Sequence, residues 1–145
     1  MRVDATRLED RLHPLEPVYK SRGEAQVGRL LDRYSIPFFY EQPLLVLERG
    51  RHRVWHPDFT LPSYNGMVVE YAGMPDVPEY MAGIRHKKQV YETNDLPAAF
   101  IYPRDLKGPH WPEEVMARVN GQYHDAGRKV GSAHWLPYES TPNPR

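Results

Sequence analysis

Two carboxylates near the middle of the chain are spaced for joint chemistry. Pro62-Ser63-Tyr64-Asn65-Gly66 has the composition of a tight turn between two strand-like runs. With that turn centred on Tyr64, Asp58 and Glu70 lie at equal distances on either side and face each other across adjacent antiparallel strands. Directly opposed side chains sit about 4.5–5.5 Å apart at Cβ, and like charges there destabilise a sheet. A cation between them removes the penalty, and oxygen-only ligands favour a hard ion such as Mg2+ or Mn2+. A register shifted by one residue leaves both carboxylates solvated instead. Two further groups belong to the same question. Glu24 borders the apolar stripe of Val27 and Leu31, and it also completes the S-x-x-E capping box begun at Ser21. Lys87 lies on the stripe Tyr80, Ile84, Lys87, Tyr91, which is otherwise apolar. It either snorkels past the tyrosines or has a partner on the sheet.

The elements that must hold these groups are short, because fifteen prolines punctuate the chain. After an arm over 1–20, with a short helix at 5–12, the spacing of Val27, Leu30, Leu31 and Tyr34 predicts a helix from Ser21 that ends near Ser35, before Pro37. Three strands follow, Phe38 to Glu48, Arg53 to Leu61 and Met67 to Ala72, which the short turns arrange as an antiparallel meander. A helix over about 79–92, a buried strand at Ala98 to Tyr102 and a helix from Pro112 to near Asn120 complete the order. Residues 137–145, with three prolines, read as a flexible tail. This mixed order predicts an α/β layered domain over 21–136 with a central mixed β-sheet flanked by helices.

Tyr19-Lys20-Ser21-Arg22-Gly23-Glu24, Tyr40-Glu41-Gln42-Pro43-Leu44, Pro57-Asp58-Phe59 and Val69-Glu70-Tyr71-Ala72-Gly73 together resemble the PD-(D/E)xK nuclease superfamily, over about residues 19–106. The resemblance implies a restriction-endonuclease-like fold and a metal-dependent DNA endonuclease. In that superfamily Asp58 and Glu70 would bind Mg2+ or Mn2+, the backbone carbonyl of Tyr71 would add a ligand, and Glu24 would complete the shell. The superfamily's lysine belongs two residues after the second acid, where this chain has Ala72. Some members carry it on the following helix, which makes Lys87 the catalytic candidate and Lys88 the reserve. Carboxylate-held metal activates a water and screens the phosphate, while a lysine beside that water stabilises the developing charge.

Arg49, Arg51, His52 and Arg53 crowd the first hairpin turn, and Arg85, His86, Lys87 and Lys88 form a second basic cluster. Arg49, Arg51, Arg53 and Lys88 are the candidate phosphate grips, against the alternative of solvated surface. Composition narrows the other classes. The chain has 145 residues, no cysteine and a formal net charge of zero from 19 basic and 19 acidic residues. That excludes disulfide scaffolds, thiolate zinc sites and cysteine nucleophiles, and it argues against broad coating of nucleic acid. Without an apolar run long enough to span a membrane or a signal-peptide core, the expectation is a soluble cytoplasmic protein. Two rivals to the endonuclease stand: a non-catalytic nucleic-acid-binding or assembly subunit on the same fold, and a protein-interaction module. A single site cuts one strand, so the expected partners are DNA and either a second copy or a partner subunit.

Overall fold

The structure, a computed structural model, describes residues 16–130; the expected short helix at 5–12 and the tail at 137–145 lie outside them. Helix α1 spans Arg22–Arg33. Ser21 caps it, its Oγ accepting the Glu24 N–H at 3.1 Å. Strands β1 (Phe39–Tyr40), β2 (Leu44–Glu48), β3 (Arg51–Trp55), β4 (Phe59–Leu61) and β5 (Met67–Tyr71) precede helix α2 (Pro78–Thr93). Strand β6 (Ala98–Ile101) and helix α3 (Trp111–Val130) follow.

The central sheet has the order β1-β4-β5-β6. Its first two pairings are antiparallel and β5 with β6 is parallel, so the sheet is mixed as expected. The simple meander is corrected. Each of the two long strands expected from the sequence is broken at a proline, Pro43 in the first and Pro57 in the second. Proline lacks the N–H a ladder needs, and Glu41 just ahead of Pro43 takes a left-handed φ of 55°. The two strands remain one long hairpin in continuous register, with Phe39 opposite Thr60, Leu44 opposite Trp55 and Glu48 opposite Arg51. Its outer half, β2–β3, leaves the central sheet as a separate two-stranded ribbon. Asn94 at the end of α2 fastens that ribbon, its side chain exchanging two 2.9 Å hydrogen bonds with the backbone of Leu47.

Alternation along the strands divides the interior into two cores. Phe59, Leu61, Met67, Val69, Ala99 and Ile101 pack against Val27, Leu30 and Leu31 of α1 and against Val115, Met116 and Val119 of α3. On the other face, Val68, Ala72, Phe100 and Tyr102 pack against Ile84 and Tyr91 of α2, with Leu44 and Trp55 of the ribbon at the margin. The domain is therefore an α/β sandwich of helices, sheet and helix. Helix α3 continues ten residues past the expected end near Asn120. A glycine inside a helix costs only about 1 kcal/mol relative to alanine. Past Gly121, Tyr123 anchors the extension, its ring 5.0 Å from that of Tyr64 and its hydroxyl accepting from Asn65.

Candidate functional site

The turn between β4 and β5 decides which residues face each other. Pro62–Tyr64 form one 3-10 turn, and Asn65 and Gly66 close it with φ of 57° and 77°. The resulting register places Phe59 opposite Val69, Thr60 opposite Val68 and Leu61 opposite Met67. Asp58, one step beyond β4, meets Glu70 on β5. The two are linked twice through the backbone. The Asp58 N–H donates to Glu70 Oε1 at 2.8 Å, and the Tyr71 N–H donates to Asp58 Oδ2 at 2.7 Å.

Glu70 is 2% exposed and is the one charged side chain of the buried interior among the described residues. Helix α2 supplies its partners. Tyr91 donates its hydroxyl to Glu70 Oε2 at 2.8 Å, and Lys87 Nζ lies 3.3 Å from the same oxygen. Lys87 and Tyr91 are four residues apart and so share a helix face. Lys88 points elsewhere. Its ammonium donates to Tyr102 Oη at 3.0 Å and lies over the Phe100 and Tyr102 rings, in a groove between α2, β6 and α3.

Charge in this enclosed place is costly. Burial, and then the facing Glu70 charge, push the Asp58 carboxyl up to about 7, against the opposing pull of the Tyr71 N–H and of Lys87. Burial and the adjacent Glu70 charge hold the Tyr91 hydroxyl far above its ordinary value, so it stays a donor.

No protein-family model, curated protein or solved structure matches this chain. The chemistry of the site therefore follows from its own groups.

Glu24 stands apart from the pair. It rises from α1, which packs on the opposite face of the sheet from α2. Its carboxylate accepts from the hydroxyls of Tyr40 at 2.5 Å and Ser21 at 3.1 Å. Its charge still reaches the pair, contributing to the rise at Asp58. Among the described residues, no three His, Asp or Glu side chains gather into a group able to hold a metal ion. The three-carboxylate set is thus drawn together only as a pair, with Glu24 at a distance. The pair itself suits a hard cation. Every donor is oxygen, and burial together with the facing Glu70 charge already raises the Asp58 carboxyl, a penalty that a cation would relieve. In a strand, a residue's N–H and C=O point to the same side, so the Tyr71 carbonyl is expected on the edge from which its N–H reaches Asp58.

The basic hairpin tip is open. Arg49, Arg51, His52 and Arg53 are all exposed, and Arg49 takes a left-handed φ of 52° in the turn. Behind the tip, Glu48 is paired with His86 of α2, with Arg53 at 4.0 Å. Two tyrosines were not singled out from the sequence as site residues. Tyr91 lies on the Lys87 stripe, so its face was legible. Tyr40 carried no such signal, because its contact with Glu24 depends on how α1 packs on β1.

Proposed function

We propose that the chain is a metal-dependent endonuclease that hydrolyses phosphodiester bonds of DNA, on a restriction-endonuclease-like form of the α/β fold. The observation that carries this reading is the Asp58–Glu70 pair, with Glu70 buried and the Lys87 ammonium on its carboxylate. Asp58, Glu70 and the Tyr71 carbonyl would hold Mg2+ or Mn2+, with substrate phosphate and water supplying the remaining ligands. Glu24 acts on the pair electrostatically. Such an ion would supply an activated water and screen the phosphate.

The chain's own groups do the rest. Lys87, with its side chain 44% exposed, reaches from the buried carboxylate toward solvent. There it orients the attacking water and stabilises the negative charge that develops on the phosphate. Tyr40 and Ser21 fix the direction of Glu24. Arg49, Arg51 and Arg53 on the ribbon grip phosphates outside the reacting bond and set the position of the DNA. Lys88, exposed and bonded to the neutral Tyr102 hydroxyl, keeps its charge and is a further phosphate contact. One such site cuts one strand, so a second copy or a partner subunit serves the other, and the enzyme acts in the cytoplasm.

Nicking of supercoiled plasmid tests the proposal. Wild type should nick in Mn2+ or Mg2+ and stop in EDTA, and Asp58→Ala and Glu70→Ala should be inactive. Nicking that survives both substitutions removes the site from the reaction.

A further inference from the structure

Tyr91 is 1% exposed. Its ring stands edge-on to Trp55 at 5.5 Å and leans on Phe100 at 6.2 Å. A phenylalanine would make the same ring contacts. The hydroxyl is what needs explaining, because a buried O–H is costly unless it is bonded. Its partner is Glu70 Oε2, at 2.8 Å.

That bond divides the labour between the two oxygens of Glu70. Oε1 is turned to the Asp58 backbone N–H, and Oε2 is turned to Tyr91 and Lys87. The last torsion of a glutamate is broad and roughly two-fold, so packing alone does not fix it. A donor at each end does. Resting on the endonuclease reading, we propose that Tyr91 is a positioning residue, which locks the Glu70 carboxylate so that Oε1 faces the cation beside Asp58 while Oε2 anchors Lys87. Tyr91 acts through Glu70 and touches neither the ion nor the DNA.

Without the hydroxyl, Lys87 is the remaining side-chain partner of Oε2 and the carboxylate is free to turn toward it. Both consequences fall on the ion site. Loss of a partner that orients a ligand typically costs about 10–100-fold in metal affinity or activity.

The test uses the full chain and Mn2+ alone, titrated by calorimetry into wild type and Tyr91→Phe. Cleavage rates at saturating Mn2+ are then measured for both. The expected result is a Kd for Mn2+ raised about tenfold at unchanged stoichiometry. The cleavage kcat should fall while the KM for DNA holds. An unchanged Kd overturns the assignment. So does a reduced stoichiometry at unchanged Kd, which marks a hydroxyl needed only for folding. Wild type that takes up no Mn2+, with or without duplex DNA, overturns the endonuclease reading and the Tyr91 role with it. Wild type that binds and cleaves while Tyr91→Phe is indistinguishable overturns the Tyr91 role alone.

Discussion

The Asp58 backbone N–H donates to the Glu70 carboxylate at 2.8 Å across the β4–β5 turn, so one residue of the pair holds the other in place. The Asp58 carboxylate is held in the same manner by the Tyr71 N–H. Backbone donors fix the directions of two side chains whose charges repel. The arrangement is pre-built, and burial makes charge in it costly.

Burial and the facing Glu70 charge set a pH dependence for the metal-free protein. The Asp58 carboxyl lies at about 7 in the folded state against an ordinary 3.8. Below pH 4 it is protonated folded and unfolded alike. Between 4 and 7 the folded state keeps a proton that the unfolded state releases, so stability falls as pH rises and levels off above 7. Asp58→Asn keeps an acceptor for the Tyr71 N–H and removes the charge. It should flatten this slope and stabilise the metal-free fold at pH 8 by up to about 1 kcal/mol, the scale of a cross-strand like-charge pair. Mn2+ should reverse the order. Wild type gains about 2.7 kcal/mol at a hundred times Kd, and the variant gains much less. Thermal melting from pH 4 to 8, in EDTA and in Mn2+, measures both effects.

Lys87 and Lys88 are adjacent in sequence and lie on different faces of α2. Lys87→Ala should lower the cleavage rate about 100- to 1,000-fold, the scale of losing one preorganised donor to developing charge. It should also cost about 1 kcal/mol of metal-free stability. That is well below the roughly 3–5 kcal/mol of a fully buried pair, because the lysine is half exposed and solvent screens it. Lys88→Ala should leave the rate unchanged. Single-turnover cleavage of the two variants side by side decides; loss of rate in Lys88→Ala with Lys87→Ala silent would contradict the geometry.

The sequence carried the register of this site further than it carried the strands. A turn centred on Tyr64 predicts the register that β4 and β5 have, and with it the meeting of Asp58 and Glu70, while residue types alone leave a shift of one residue open. Helical spacing likewise separated Lys87 from Lys88. The breaks at Pro43 and Pro57 were hidden inside runs of aromatic and branched residues that read as continuous strands. The distance of Glu24 from the pair was not legible at all, since it depends on which face of the sheet α1 covers. Nor was the role of the Tyr91 hydroxyl: a stripe gives the face a side chain shares, not the atom it bonds.

The ribbon offers an independent check on DNA contact. Arg49, Arg51 and Arg53 are exposed and lie on the β2–β3 ribbon, outside the central sheet that carries Glu70. Replacing any one by alanine should weaken DNA binding and lower the slope of log K against log salt by about one. Melting temperature and Mn2+ affinity should not move. Binding isotherms over a range of salt concentrations give the slope, and three unchanged slopes would remove the ribbon from the interface.

The claim that Asp58 and Glu70 share a divalent ion is tested most directly by crystals of the full chain with duplex DNA, soaked in Mn2+ and measured for anomalous scattering. The account requires a peak within bonding distance of both carboxylates, with the Tyr71 carbonyl turned toward it. A map with no peak there, or with Mn2+ bound only at other residues, would contradict it.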